Sequence, residues 1–262
     1  VASDHGGGLD RVTIWVHVLA GLLFLAWSAV FFYSLWRFRA TRQESSENQE
    51  ESLKHRWPMW VEVTVVAAEA VILIGLSIPL FSARLGETIE DDAVEVRIVA
   101  QQYAWNVHYP GPDGEFGTTE PSLVDEEINP VGLDRNDPRA ADDLVLVNQL
   151  HLPVDRVAVL RMSSKDVIHG FSIVEMRVKR DVVPGSITTI AFRPTVTSEE
   201  MGRRLGLDDP STYVYEIACA QLCGLGHSRM RGFLVVHDQE SFEAWKSAEQ
   251  EKQGEPVDDF WQ

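Results

Sequence analysis

Cys219-Ala220-Gln221-Leu222-Cys223-Gly224-Leu225-Gly226-His227-Ser228-Arg229-Met230 gathers two thiols, an imidazole and a thioether within one short stretch, and these are the only two cysteines in a chain of 262 residues. Soft sulfur donors with imidazole select copper or zinc over magnesium or calcium, and a weak thioether tips the choice to copper. Gly224 and Gly226 allow a tight backbone turn, so donors on both sides of it can converge. The spacing predicts a metal-holding loop. Three other readings compete. A Cys219–Cys223 disulfide would suit an oxidising compartment but leaves His227 and Met230 without a task. Structural zinc takes four Cys or His ligands and does not use Met. A redox dithiol is more usually Cys-x-x-Cys near a βαβ pattern, which this sequence lacks.

The segments around the loop read as short strands. Tyr213 to Ile217 precedes it and Phe233 to Val236 follows; further upstream, Val94, Val96 and Ile98 alternate with polar residues, as do Val157 to Met162 and Ile187 to Phe192. Many short strands separated by turns indicate a sandwich or barrel over residues 93–237. Two segments interrupt it, 110–143, rich in Pro, Gly, Asn and Asp, and 198–210; both are expected to be loops. From Asp238, an N-cap, the spacing of Phe242, Trp245 and Ala248 predicts an amphipathic helix within a tail segment 238–262.

Residues 1–92 have a different character. Val12 to Trp36 and Trp57 to Phe81 each exceed the roughly 20 apolar residues that a helix needs to cross about 30 Å of hydrocarbon. The first run is too long for a signal peptide, which needs only about 7–15 apolar residues, and no small-residue cleavage pattern follows it; a first residue of Val rather than Met suggests earlier processing. Arg37, Arg39, Arg42, Lys54 and Arg56 cluster between the two runs, which predicts a cytoplasmic loop with both termini outside. Trp36, Trp57 and Trp60 suit the membrane interface. A net charge of −17 argues against nucleic acid or anionic lipid as partner of the exterior domain, and for solubility or a basic partner.

The loop resembles that of cytochrome c oxidase subunit II, whose binuclear copper centre uses Cys-x-(Glu/Gln)-x-Cys-x-x-x-His-x-x-Met. Every position matches, and the resemblance extends upstream to Asp166-Val167-Ile168-His169, followed at the family's spacing by Lys179, Asp181 and Pro184-Gly185. It implies a two-helix transmembrane hairpin carrying an all-β cupredoxin-like barrel. It further implies two copper ions (copper A) bridged by the sulfurs of Cys219 and Cys223, their shells completed by His169, His227, Met230 and the backbone carbonyl of Gln221. The implied function is that of a respiratory terminal oxidase subunit in a bacterial inner membrane. It takes electrons from cytochrome c, or from a donor held in a larger complex such as alternative complex III. It passes them to a haem-copper catalytic subunit, among other oxidase subunits, for oxygen reduction coupled to proton pumping. Glu62 stands where the family marks the entrance of a proton pathway.

The match is not complete. The family's Gln-Trp-aromatic-Trp cluster reads Gln102-Tyr103-Ala104-Trp105 here, so Tyr103 takes the place of the aromatic port for electrons and Trp105 keeps the second position. Trp105 reads equally well as a core residue. Gln221 replaces a Glu that helps hold magnesium in many members; an amide is a poorer ligand for a hard cation, which leaves magnesium open. No Cys-x-x-Cys-His is present for an attached haem, so the donor is a separate protein, and the two inserts are candidate docking surfaces for it. Glu69, where the family more often has Pro, lies two turns deeper in the membrane than Glu62 and should face a partner subunit. His5, His17, His55, His108, His151 and His237 lack metal spacing and read as surface or satisfied core residues. A quinol oxidase subunit would lack the copper ligands. A nitric oxide reductase subunit could carry the same copper module and is discriminated by activity with oxygen against nitric oxide. A membrane-tethered copper-delivery protein would need exposed, exchangeable ligands, whereas His169 stands fifty residues from the loop, as a rigid site built on a barrel would have it.

Overall fold

The computed structural model describes residues 1–39, 57–85 and 92–254. The chain divides into two compact units, Gly7–Thr88 and Val1–Gly6 with Ile89–Gln262.

The first unit holds two apolar helices. Helix α1 covers Gly6–Phe38, longer at both ends than the apolar run alone implied. Its 33 residues rise about 50 Å, more than a bilayer core requires. The second span begins as α2, Trp57–Ala70, passes through a π-helical stretch, Val71–Ser77, and ends as α3, Ile78–Leu85. In the π stretch the Ile78 N–H donates to the Leu73 carbonyl. Side chains such as Phe24, Trp27, Phe31, Leu73 and Ile74 are exposed in the isolated chain, as expected for helices whose cover is lipid or another subunit. Thr13, Ser34 and Thr64 each donate their hydroxyl to the carbonyl four residues back, so their polar groups need no partner outside the helix. The basic cluster at Arg42, Lys54 and Arg56, and His55, lie outside the described residues.

The second unit is a sandwich of two five-stranded sheets. One has the order β3-β2-β1-β5-β8, built from β1 (Val94–Gln101), β2 (Ala104–Tyr109), β3 (Leu144–Val147), β5 (Ala158–Ser164) and β8 (Thr188–Phe192). The other has the order β4-β10-β9-β6-β7, built from β4 (Gln149–Pro153), β6 (His169–Ile173), β7 (Val178–Val182), β9 (Tyr215–Cys219) and β10 (Arg231–His237). β1 pairs with β5, and β10 with β4, in parallel; the other pairs are antiparallel. Alternation decides what is inside: Val96, Ile98 and Ala100 of β1 are buried, while Glu95, Arg97 and Val99 point the other way. They meet Leu150, Leu152, Phe171, Ile173, Tyr215, Ile217, Leu234 and Val236 from the other sheet in one core. This is the cupredoxin-like all-β domain expected from the sequence.

Segment 110–143 is mostly irregular, with short 3-10 turns, and brings its own small apolar cluster, Val131, Leu133 and Ala140, against Val99 and Val145. Segment 198–210 departs from expectation. It is not simply a loop, because Ser198–Arg204 forms helix α4. Thr197 caps it by accepting from the Glu200 N–H, and Glu199 and Glu200 pair with Arg203 and Arg204 along one side. The opposite side buries Met201, and Ser198 Oγ accepts from the Val236 N–H at 3.0 Å, which fixes the helix to β10. Helix α5, Gln239–Gly254, follows Asp238, whose carboxylate accepts from the Ser241 N–H, and it buries Phe242.

Candidate metal centre

Strand register gathers the cluster at one end of the second sheet. Phe171 of β6 faces Cys219 of β9, and Ala218 faces Arg231 of β10. His169, Cys219 and Met230 therefore stand at the same end of three adjacent strands. The Ala220 N–H donates to the Gly170 carbonyl at 2.7 Å, which starts the loop against β6. The loop then turns through Gly224, at φ 131°, and a 3-10 turn at His227–Arg229 that returns it to β10.

The six sequence-selected groups converge. The Cys219 and Cys223 sulfurs are 3.7 Å apart, both as free thiols. His169 Nδ1 lies 4.0 Å from Cys219 Sγ, and the Gln221 carbonyl oxygen lies 3.2 Å from the same sulfur. His227 Nδ1 is 3.6 Å and Met230 Sδ 3.8 Å from Cys223 Sγ. His169, Cys219 and Cys223 present donor atoms all within 4.8 Å of one another. His169, Cys223 and Met230 are buried, Cys219 and His227 are half-buried and Gln221 is exposed, so the cluster reaches from the core to the surface. Burial, with the neighbouring Cys219 sulfur, pushes the Cys223 thiol up to about 11. A cation that displaces the proton relieves that cost.

The donor set fits copper. His169 and the Gln221 carbonyl stand beside the Cys219 sulfur, and His227 and Met230 beside the Cys223 sulfur. Six donors exceed the four that one tetrahedral ion takes, and thiolate, imidazole and thioether together are a copper set.

Residues that the sequence did not assign a task hold this cluster in place. Asp166 Oδ1 accepts from His169 Nε2 at 2.8 Å, which leaves Nδ1 turned toward the sulfurs. Its second oxygen accepts from the Gln102 N–H at 2.7 Å. Burial alone would raise the Asp166 carboxyl, but hydrogen bonds from His169, Gln102 and Val167 outweigh it and hold the group below its ordinary range. The Gln102 side-chain amide donates to the Cys223 carbonyl at 2.5 Å. Both residues occur in the matched motifs, and their polar side chains beside a ligand were the available signal.

Tyr103 is part-exposed and lies over the loop; a Cβ on Gly226 would fall 2.5 Å from its ring, so only glycine permits this contact. Trp105 is fully buried, edge-on to His169 at 6.1 Å and to Phe171 at 5.5 Å. It is a core residue that touches the cluster. Glu62 and Glu69 are exposed on α2. The other described histidines have partners elsewhere: His108 with Asp143 at 2.7 Å, His151 with His237 at 2.8 Å, His5 with Asp4, and His17 with the Thr13 carbonyl.

Residues 94–237 match the family described as "Cytochrome C oxidase subunit II, periplasmic domain". The chain is 32% identical over 237 residues to the alternative cytochrome c oxidase subunit 2 of Bradyrhizobium diazoefficiens, an alignment covering 90% of this chain and 76% of that protein. It is 26% identical over 265 residues to cytochrome c oxidase subunit 2 of a Synechocystis species, covering 94% and 74%. The crystal structure of the periplasmic domain of subunit II of cytochrome oxidase from Bradyrhizobium japonicum shares 20% identity, covers 63% of this chain and 99% of that one, and superposes with a TM-score of 0.42.

Proposed function

The chain belongs to the cytochrome c oxidase subunit II family, a part of a haem-copper oxidoreductase complex, and from that premise we propose that it is the electron-accepting subunit, with a centre of two coppers held by His169, Cys219, Gln221, Cys223, His227 and Met230. The observation that carries this reading is the pair of unbonded sulfurs 3.7 Å apart with a separate imidazole beside each. Held by these residues, two coppers would supply one-electron chemistry.

The residues of the chain do the rest. Cys219 and Cys223 provide the shared anionic donors. Asp166 keeps the His169 imidazole in one tautomer and one orientation. Trp105 and Phe171 close the inner side against water, and burial of His169 and Met230 argues against a site built to exchange its metal with a delivery partner. Tyr103, part-exposed and resting on the ligand loop, is the aromatic surface at which the donor docks. The donor is cytochrome c or a protein held in a larger complex, and the acceptor is the haem-copper catalytic subunit, where oxygen is reduced. Glu62 marks the entrance of a proton pathway at the opposite membrane face.

Both termini lie on the outer side. Support comes from the first residues: the Ala2 N–H donates to the Glu175 carbonyl, the Thr195 N–H donates to the Ala2 carbonyl, and Ser3 Oγ donates to the Met176 carbonyl at 2.6 Å. The start of the chain is thus part of the β domain, and the two share one side of the membrane.

The test is metal analysis and electron paramagnetic resonance on the full chain in detergent, loaded with copper while the thiols are reduced. Two coppers per chain, with one unpaired electron shared equally between two nuclei, is the expected result. One copper per chain, with a localised signal, overturns the reading.

A further inference from the structure

Segment 110–143 supplies no donor to the candidate metal centre. It covers part of the first sheet on the face turned away from the shared core, where Val131, Leu133 and Ala140 rest on Val99 and Val145. Between this cover and β5 lies a groove of about 510 Å³, the size of a site for a small organic ligand.

Strand register gives the groove its charge. His108 of β2, Arg97 of β1 and Arg161 of β5 stand side by side in one row, and like charges directly opposite one another on neighbouring strands are destabilising. The outer two are compensated. His108 Nε2 lies 2.7 Å from Asp143 Oδ2, and Arg161 donates from Nε and Nη2 to the two oxygens of Glu95, each at 3.2 Å. Arg97, in the middle, is not. Among the described residues it forms no ion pair, and its one hydrogen bond is a long one, 3.5 Å from Nη1 to the Gly117 carbonyl. Burial above all lowers the Arg97 guanidinium from its ordinary value, against the pull of Asp143. The group is nevertheless held in place: its carbon stands 4.0 Å from the centre of the Phe116 ring, which also meets His108 edge-on at 5.1 Å. Nε and Nη2 of Arg97 are thus kept for an acceptor from outside the chain.

The remaining lining says what that acceptor carries. Thr119 and Ser163 bring hydroxyls that no other described residue engages, and Val99, Val131 and Ile187 bring apolar surface. Asp143 lies behind the row, its oxygens already accepting from His108 and from the Gly111 and Gly117 N–H groups. Two guanidiniums and one carboxylate, Glu95, therefore face the groove, and one further negative charge balances them. A carboxylate carries that single charge on two coplanar oxygens, the arrangement that a guanidinium fork matches.

We propose that this groove binds a small organic carboxylate, its two oxygens taken by Arg97 and its apolar body lying against Val131 and Ile187, with segment 110–143 as the wall that shapes the site. Nothing in it requires copper, so it stands or falls apart from the metal centre.

The test is calorimetric titration of the full chain in detergent, against matched detergent blanks, with benzoate and hexanoate as probes and benzyl alcohol as the uncharged control. Saturable binding of one carboxylate per chain is expected, with benzyl alcohol at least about tenfold weaker. Arg97→Gln should weaken benzoate binding by about tenfold or more, and Arg97→Lys, which keeps the charge but loses the fork, by about threefold or more. Circular dichroism checks that both variants remain folded. Lys246→Gln, in the separate groove beside Phe242, should leave benzoate binding unchanged. No saturable binding of either carboxylate up to about 10 mM, equal binding of benzyl alcohol, or an affinity unmoved in both Arg97 variants overturns the proposal. Tighter binding of inorganic phosphate than of both carboxylates would also overturn it, because the apolar walls would then contribute nothing.

Discussion

Asp166 stands behind the ligand set with different donors on its two oxygens: Oδ1 accepts from His169 Nε2 and the Val167 N–H, and Oδ2 from the Gln102 N–H. Asparagine can imitate only one of those oxygens. Its NH2 group must then face a donor, either the His169 imidazole N–H or the Gln102 N–H, so either the bond to His169 or the bond that anchors residue 166 behind it is lost. Asp166→Asn should therefore weaken copper binding by about 10- to 100-fold, the usual cost of losing such a supporting partner. Competition with a chelator of known affinity measures this, and circular dichroism checks that the fold persists; an affinity within about threefold of the native chain removes Asp166 from the role. The six residues proposed as donors could be selected from the sequence because metal chemistry restricts both their types and their spacing. The supporting residues were less so. Gln102 reaches the Cys223 carbonyl from 121 positions away, a contact that only the folded sheets create.

At the scale of elements, strands with a clean alternation, such as β1, were readable, while others were hidden by their composition. β2 reads Ala-Trp-Asn-Val-His-Tyr and still buries Asn106 and His108, because Asn106 donates to the Val99 carbonyl and His108 pairs with Asp143. β7, Val-Lys-Arg-Asp-Val, keeps only its ends inside. Helix α4 was hidden by its seven-residue length and by Gly202, although Thr197 and Glu200 carry the spacing of a capped helix start. Helix α5 was predicted, but not what it covers: Trp245 stacks on His151 at 4.0 Å, and His151 shares a hydrogen bond of 2.8 Å with His237. That bond requires one donor and one acceptor, so the two rings cannot both be protonated while it holds. Burial, with His237 beside it, pushes His151 down to about 3, and burial lowers His237 against the pull of Asp238. In the unfolded chain both titrate near 6.5. The unfolded state then binds more protons than the folded one, so stability is fully present above about pH 6.5 and is lost as pH falls toward 3, by up to about 1.4 kcal/mol per pH unit for His151, with His237 acting in the same direction. Unfolding of the full chain at pH 7 and pH 5 should show this, and His237→Phe should lose less stability on acidification than the native chain. Equal losses would mean that the pair does not sense pH.

For the molecule as a whole, mean composition concealed two phases, a hydrocarbon-soluble hairpin and a water-soluble sandwich, and only the distribution of apolar residues separated them. The same distribution matters for charge. The formal charge of −17 belongs to a chain whose two spans hold very few ionisable groups, so nearly all of it is carried by segments in water. A charge of that size acts on encounter rather than on fold, accelerating approach of a protein of opposite sign by about 10- to 1,000-fold at low salt. The field reaches about 30 Å at 0.01 M ionic strength and about 8 Å at 0.15 M. If the β domain receives electrons from a basic soluble donor, the second-order rate of its reduction in the intact complex should fall at least tenfold between those conditions, while the rate within the bound pair stays level. Stopped-flow reduction by a basic cytochrome c, repeated with an acidic donor, measures both. A basic donor whose rate ignores salt would mean that the negative charge serves solubility alone, and that docking relies on apolar contact around Tyr103 and the exposed Leu222 and Leu225 of the ligand loop.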